Sequence, residues 1–546
     1  MPLYSYHIFL FPFKWDFLSK GKEISNADFD ERTNLSSIDA LLRNHQQGNK
    51  HLWKRSLFKF NQDESGVYDY NEYTFFYDFV RGTLYDTQED NELVRFYEYQ
   101  IGEQAYYTIS TLKKNSQNGN HEVEEYKLQL KGLNLHIFNT GVGILTFNLA
   151  NWCYPESDKI LRINEFGRRI YPQFLDNQLP YNGETKKAFL ADQIKVDLGI
   201  GTDIIEESFN NYDSLKNLSV ERSFCLPNHI KTLFPSAFHE TKPTKSYFDT
   251  VWIRNIMDDR MFTMCWLGNN DLTKKLSVCN PNNEFEYENN SFWYALLVCD
   301  KDATSITCQH AGKLKEYIKS YTYERWANYG TLYGLTRETF MVVSSDIETL
   351  KKNFAPELHI HLQSMYYQIV ILCLVQRASI LRFSGEVTLV SELAKQDRES
   401  PNKLSDRISK LYMNYIEFVN RIYFREVTAQ IQGIELYDKL QEQMRLKNEV
   451  ADLDKEIQEL NQFAEMREQK SLTTVANLFL PASLVAAIFT FISDKNWFQF
   501  NAVSIQNVFS ETSLKYLLLF GMVFLSLLFA SKLIKIITYI IKLLKL

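Results

Sequence analysis

The chain has 546 residues, more than one hydrophobic core usually organises, so we expect several domains. Apolar residues make up 45% of the chain and charged residues 23%, which excludes disordered and fibrous proteins. The net charge of −7 at pH 7 disfavours nucleic acid as a partner, because proteins that bind the phosphate backbone are usually basic.

The first residues and the cysteines bear on the cell compartment. The opening sequence MPLYSYHIFLFPFKWD lacks the basic residues of a signal peptide and predicts a first β-strand instead. The seven cysteines are scattered and include no C-x-x-C pair. They therefore indicate a reducing compartment rather than a disulfide framework or a zinc knuckle.

Residues 1–350 have the pattern of an α+β region, which we expect to form one or two subdomains. The turn Asn139-Thr140-Gly141 lies between two apolar runs and predicts a hairpin. A helix is predicted over 157–170. Strands are predicted over 4–11, 93–99, 105–112, 125–130, 133–138, 142–148, 247–256, 260–267 and 292–298.

The best candidates for ligand binding in this region are two adjacent arginines. Arg168 and Arg169 lie near the end of the predicted helix and follow Trp152 and Tyr154 closely in the sequence. Guanidinium groups and aromatic rings can together hold an anionic ligand that stacks, such as a nucleotide. The alternative is a surface helix end, where cations interact favourably with the helix dipole.

Residues 351–470 are interpreted as long helices and a stalk. Helices are predicted over 357–383, from 403 to the mid-420s, and over 425–470, the last leading directly into an apolar segment. A heptad seam in the stalk predicts packing along another helix, in this chain or in a second copy. The seam residues are Leu446, Val450, Leu453, Ile457, Leu460 and Ala464.

Two apolar segments near the C-terminus predict transmembrane helices. Residues 471–493 are uncharged and long enough to cross a hydrocarbon core about 30 Å thick. The second span, 513–531, has a shorter uncharged stretch. Lys515 and Lys532 can extend their charged ends to the interface and so lengthen the effective span. The alternative is a buried apolar hairpin of a soluble protein.

The basic residues near the two spans predict their orientation. The outer link, 494–512, contains one basic residue, Lys495. The stalk and the tail together carry seven basic residues near the spans. Both termini are therefore expected in the cytoplasm, with the spans in the inner membrane. The tail, 532–546, predicts a basic amphipathic helix on the inner leaflet or an extension of the second span.

Pro481 predicts a kink in the first span, because its ring cannot donate a hydrogen bond to the Asn477 carbonyl. A kink in lipid is tolerated where neighbouring helices or a water-filled lumen satisfy the freed carbonyl. Thr473, Thr474 and Ser483 add polarity to part of the circumference. The pattern favours a helix that lines a pore.

Lys470-Ser471-Leu472-Thr473, followed by Phe479-Leu480-Pro481, a second span and a lysine-rich end, resembles the CorA divalent-cation channels. The resemblance covers 357–546 and implies a homopentamer whose first span lines a central pore. Thr490-Phe491-Ile492 replaces the Gly-Met-Asn that ends this span in the family. The replacement and the large N-terminal region are similar to the CorA-like effectors of type III CRISPR systems. That branch implies a pore opened by a nucleotide second messenger, a conjugate of S-adenosylmethionine with AMP, with residues 1–350 as the cytoplasmic sensor region.

The pore-lining register of the family, carried onto this span, implies rings of mostly apolar side chains that close the pore by dewetting. No acidic residue lies in 471–493, so weak ion selectivity is expected. The register falls on Gln469, Leu472, Ala476, Leu480, Ser483 and Ala487.

The expected function is therefore a nucleotide-gated membrane pore in antiviral defence, with no enzymatic activity, tightly bound cofactor or metal. Glu357, His359 and His361 have metal-binding side chains but lack a third ligand at a useful spacing. The first alternative is a Mg²⁺ transporter of the CorA type. The second is a membrane-tethered scaffold or an enzyme with catalytic residues within 150–350.

Overall fold

The computed structural model describes residues 2–22, 29–44, 46–47, 50–88, 90–114, 121–175, 189–201, 204–217, 225–241, 247–257, 259–281, 283–352, 358–395, 401–493 and 521. The chain forms two compact units. The first unit comprises Met1–Ser391 and Ser409–Gln458, and the second comprises Glu392–Ile408 and Glu459–Leu546. A mixed α and β region followed by helices is confirmed.

The β-structure lies in the first unit and consists of one large sheet and a two-stranded ribbon within the described residues. The strands are β1 (Ser5–Leu18), β2 (Gln46–Gln47), β3 (Lys50–His51), β4 (Trp53–Arg55), β5 (Val94–Tyr99), β6 (Tyr106–Lys114), β7 (His121–Phe138), β8 (Val142–Asn151), β9 (Gln193–Asp197), β10 (Ile204–Glu207), β11 (Phe238–His239), β12 (Thr250–Asn255), β13 (Phe262–Gly268), β14 (Thr322–Tyr323), β15 (Leu332–Leu335) and β16 (Thr339–Ser344).

Strand β1 occupies the middle of the sheet, whose main path is β10-β9-β6-β7-β8-β1-β13-β16-β15-β14. It pairs with β8 along one edge, and with β13 and then β12 along the other. Most of its side chains are buried, whichever face of the sheet they lie on. A strand covered on both faces is apolar without a break, and this explains the run HIFLFPF.

The hairpin predicted at Asn139-Thr140-Gly141 is confirmed. Phe138 of β7 pairs with Val142 of β8, and Gly141 adopts a positive φ of 73° in the turn. The two strands predicted over 125–130 and 133–138 are one long strand, β7. Its register shifts between Leu130 and Gly132, so Gly132 accompanies a bulge within the strand and not a break between strands.

Helices surround the sheet and dominate the chain after residue 345. They are α1 (Phe29–Arg32), α2 (Leu35–Arg43), α3 (Gly66–Phe75), α4 (Asp78–Leu84), α5 (Ser157–Gly167), α6 (Asn228–Lys231), α7 (Asn270–Leu276), α8 (Ser291–Val298), α9 (Ala311–Tyr321), α10 (Ile347–Lys352), α11 (Leu358–Gln363), α12 (Met365–Lys395), α13 (Pro401–Arg421), α14 (Ile431–Gln443) and α15 (Leu446–Ser493).

The strand predicted over 292–298 is wrong, because these residues form helix α8. The Asn290 side chain accepts a hydrogen bond from the Trp293 backbone N–H and caps the helix. Residues Trp293 through Leu297 are all buried. A segment buried on every side has no helical periodicity in its sequence, so its apolar run resembles a strand.

The helix predicted over 425–470 is divided into α14 and α15 at Arg445, whose φ is 58°. Helix α15 then continues without interruption through the first predicted span to Ser493, as expected. Leu446, Leu453 and Ile457 of the predicted seam are at most 2% exposed. The Tyr415 hydroxyl of α13 donates to the Val450 carbonyl at 3.2 Å, so this part of the seam packs within the chain.

One helical segment of the described residues, Leu358–Ala394, is long and apolar enough to cross a membrane, which is compatible with membrane association. It is neither of the two predicted spans, and 61% of its most apolar window is buried inside the protein. Apart from Gly521, the link 494–512, the second span 513–531 and the tail 532–546 lie outside the described residues. The pair of transmembrane helices remains a prediction.

Candidate functional site

The two arginines of the candidate ligand site lie in a buried ion cluster just after helix α5. The Arg168 side chain is 1% exposed, and its guanidinium lies 3.1 Å from Glu165 and 3.5 Å from Glu338. Arg169 lies 2.6 Å from Glu165 and also pairs with Asp259. The alternative of a solvent-exposed helix end is therefore wrong.

This cluster joins four separate segments of the first unit, around residues 165–169, 259–261, 298 and 338. Arg168 donates to the Val298 carbonyl at 3.2 Å, and its own carbonyl accepts from the Met261 N–H at 2.8 Å. Buried carboxylates need such partners, because removing one leaves an uncompensated charge. Both arginines therefore have a structural role that sequence reasoning missed.

Trp152 and Tyr154 follow the end of β8, and each side chain bonds to residues of the neighbouring strand β7. The Trp152 Nε1 donates to the Gln129 side chain at 2.9 Å. The Tyr154 hydroxyl accepts from the Lys127 N–H at 2.9 Å and donates to the Glu125 carbonyl at 3.1 Å. The fold does not bring the four predicted ligand residues together, and binding of a ligand by them remains a prediction.

A second buried ion cluster connects the sheet to helix α12. Asp16 of β1 lies 2.7 Å from both Arg32 of α1 and Arg382 of α12, and Arg32 lies 2.6 Å from Glu386 of α12. Burial alone would raise the pKa of Asp16, but the two guanidiniums lower it below its usual value. The cluster fixes the middle strand of the sheet to the longest helix of the first unit.

The predicted pore face lies on helix α15. At the 3–4 spacing of the family register its six residues share one face of the helix. Gln469, Ala476 and Ser483 are exposed in the single chain. The side chains of Leu472, Leu480, Pro481 and Ala487 lie outside the described residues. Pore lining, and a kink at Pro481, therefore remain predictions.

A cavity of about 1140 Å³ in the first unit was not predicted from the sequence. It lies between strand β15, helix α12 and the first turn of α14, and its wall is rich in aromatic and amide side chains. These include Trp326, Tyr329, Tyr333, Tyr366 and Gln432, with Lys352 as a cation. The aromatic residues at 321–333, interrupted by Gly330, are the sequence signal that could have indicated it.

A hydrogen-bonded trio bears on the enzyme alternative. Ser5 Oγ lies 2.9 Å from His7 Nε2, and His7 Nδ1 lies 2.7 Å from Asn164 Oδ1. All three residues are fully buried, and burial lowers the pKa of His7 to about 4. The trio has the residue types of a hydrolase site, but its burial in the sheet shields it from a substrate. The trio therefore has a structural role, in which its hydrogen bonds satisfy polar groups inside the core.

The residues considered for metal binding are partly described. His359 and His361 lie in α11, whereas Glu357 lies outside the described residues. In the part of the chain that the structure describes, no group of three or more His, Cys, Asp or Glu side chains could hold a metal ion.

The comparison with known proteins assigns no family. The chain matches no protein-family model, no curated protein and no solved structure. The CorA resemblance therefore depends on the quoted residues of 470–481 and on the lysine-rich end.

Proposed function

We propose that the protein is a ligand-gated membrane pore of the CorA type, a homopentamer in the inner membrane with both termini in the cytoplasm. The observation that carries the proposal is helix α15. It begins among buried residues of the first unit and continues as one helix over the uncharged residues 471–493. A helix of 48 residues that joins a folded sensor to an apolar segment can transmit a displacement along its length.

The beginning of α15 is held firmly by its surroundings. Met444 and Leu446 are fully buried, and the Tyr437 hydroxyl of the preceding helix α14 donates to the Phe424 carbonyl at 2.7 Å. Only Met444 and Arg445 separate α14 from α15, so in the proposed function a displacement of α14 is passed on to the beginning of α15. In the proposed function this movement tilts the stalk and wets the apolar rings of the pore.

The activating ligand in this proposal is a cytosolic nucleotide, of the type that combines S-adenosylmethionine with AMP, in type III CRISPR antiviral defence. The ligand opens the pore only if it binds the open conformation more tightly than the closed one. A shift from about 1% to 99% open requires roughly a 10⁴-fold difference in affinity between the two conformations.

The proposal is tested by reconstituting the full chain in liposomes and measuring ion leakage with and without nucleotides. Leakage that depends on a nucleotide supports the proposed function. A constitutive Mg²⁺ flux would favour the transporter of the CorA type. Absence of both would favour the membrane-tethered scaffold or the enzyme.

A further inference from the structure

We propose that the cavity between β15, α12 and α14 is a binding site for a purine nucleotide. This deepens the proposed function by giving it a ligand site, and only the gating consequence rests on that function. The cavity volume of about 1140 Å³ slightly exceeds the roughly 300–1,000 Å³ that small-molecule sites usually occupy. A nucleotide with a further substituent therefore fits.

Two aromatic rings form the exposed part of the wall. Tyr329 is 77% exposed and Trp326 is 37% exposed, and their ring centroids are 6.3 Å apart with an interplanar angle of 51°. Gly330 follows with a φ of 70°, and this turn holds the two rings at the cavity. Rings presented in this way are suited to stacking on a nucleobase, since every base has a π-face.

The deeper wall supplies hydrogen-bonding groups in a fixed arrangement. Gln432 donates to the Tyr366 hydroxyl at 3.0 Å and accepts from the Trp326 indole at 3.3 Å. The Tyr333 hydroxyl is fully buried and lacks a hydrogen bond of normal geometry, although the side chains of Tyr366 and Gln432 interact with it. A buried hydroxyl without a well-formed hydrogen bond is costly, so a polar edge of a ligand would stabilise it.

The remaining wall favours an anion. Helix α14 begins at the cavity, and its capping residue Gln430 makes no side-chain hydrogen bond to the first turn. The N–H groups of a helix start carry a partial positive charge of about half an elementary charge. Lys352, an exposed residue of the cavity wall, adds a full positive charge. A planar heterocycle with an attached phosphate satisfies the rings, the polar groups and this charge together.

The position of the cavity explains how an occupant would act on the stalk. Gln432 and Gly433 belong to the first turn of α14, and α14 is followed by α15 after the break at Arg445. A ligand that contacts the beginning of α14 in only one conformation biases the position of that helix. The site therefore lies next to the element that the proposed function requires to move.

The experiment measures equilibrium binding of AMP and GMP to the full chain in lipid nanodiscs, with ribose 5-phosphate as a probe that lacks a base. Saturable binding of AMP or GMP is expected, with Tyr329→Ala weakening it about tenfold or more through lost stacking. The matched control is Tyr247→Ala, because Tyr247 is 76% exposed and does not line the cavity. This control should bind as the unmodified chain does.

A charge reversal tests the anionic part of the ligand. Lys352→Glu should weaken nucleotide binding about tenfold, whereas Lys351→Glu, at the adjacent exposed residue that does not line the cavity, should leave it unchanged. Failure of both purine nucleotides to bind overturns the proposal. Equal binding of ribose 5-phosphate, or equal effects of each variant and its control, also overturns it.

Binding and gating are separated by running the liposome leakage assay on the same variants. If nucleotide binding is lost in Tyr329→Ala but no nucleotide causes leakage in the unmodified protein, the site stands and the proposed function fails. If leakage depends on a nucleotide but Tyr329→Ala and Lys352→Glu leave binding unchanged, the proposed function stands and this site is wrong.

Discussion

Helices α12 and α15 both carry long apolar stretches, but their polar side chains are in opposite situations. In α12 the polar groups are paired inside the protein: the Gln376 amide donates to the Ile422 carbonyl at 2.9 Å, and Arg382 pairs with Asp16. In the last 23 residues of α15 there is no charge, and Thr473 and Asn477 are exposed in the single chain. Composition alone does not separate a core helix from a membrane span, whereas the partners of the polar residues do.

The difference has a physical basis. An arginine such as Arg382 is tolerated inside a protein only where carboxylates and carbonyls satisfy it, as Asp16 and the Trp15 carbonyl do here. A helix that faces lipid has no such partners and must do without charges. The apolar stretch of α12 therefore belongs to the core of the first unit, and that of α15 suits a membrane or a subunit interface.

The largest expected effect comes from the α15 side of this comparison. In the proposed pore, Leu480→Ser should cause leakage without ligand from liposomes that contain the protein, because a polar ring would wet the apolar constriction. The measurement is dye or ion efflux from liposomes, with an increase of at least tenfold expected for a gate that has opened.

The matched control for this change is Leu478→Ser, since Leu478 and Leu480 are about 200° apart around the helix. It should leave the pore sealed. Leakage from Leu478→Ser together with a sealed Leu480→Ser would mean that the opposite face of the helix lines the lumen.

Much of the sheet could be predicted from the sequence, because its signals are local. The turn at Asn139-Thr140-Gly141 and the unbroken apolar run of β1 each correspond to an observed element. Helix α8 shows the limit of prediction from sequence. Because its residues are buried on every side, its sequence has no helical periodicity and resembles a strand. All seven cysteines are free thiols in the structure.

The sites were predicted less well, because their partners are distant in the sequence. The sequence around Arg169 does not indicate that its buried partner is Asp259, which lies 90 residues later. The wall of the aromatic cavity likewise combines segments around Asn71, Trp326, Tyr366 and Gln432. Such convergence depends on the tertiary fold, which a single sequence does not reveal.

Arg382→Met tests whether the ion pairs of α12 stabilise its position in the core. The change leaves Asp16 and Glu386 with Arg32 alone, and we expect it to lower the free energy of unfolding by about 3–5 kcal/mol. Urea denaturation followed by tryptophan fluorescence measures the loss. The matched control is Arg421→Met, whose ion pair with Glu417 is exposed and should contribute less than about 1 kcal/mol.

A double variant distinguishes lost charge balance from lost packing. Asp16→Asn combined with Arg382→Met removes one of the two carboxylates that would otherwise share Arg32, and should recover part of the lost stability. If the double variant is no more stable than Arg382→Met, the ion pair does not hold α12 to the sheet. In that case the polar partners do not explain why this apolar helix remains in the core.

The smallest expected effect concerns the exclusion of water from the core of the first unit. The protonation of His229 is a probe of this exclusion. Its ring is fully buried near Tyr107, Phe147 and Phe209, and neither ring nitrogen has a hydrogen-bond partner. Burial lowers the pKa of His229 to about 3, from an ordinary value of 6.5. Between these two pH values the unfolded chain binds a proton that the native chain does not, so this contribution to stability falls as the pH falls.

Replacing His229 with phenylalanine removes this linkage while keeping an aromatic ring in the core. The loss of unfolding free energy between pH 7 and pH 5 should be about 2 kcal/mol smaller in His229→Phe than in the unmodified chain. His239→Phe is the control, because it makes the same substitution at an exposed ring outside the core. An identical pH dependence in His229→Phe and the unmodified chain would mean that water reaches this ring. A charge in such a hydrated interior would not need a partner, so the ion pairs of α12 could not be explained by exclusion of water.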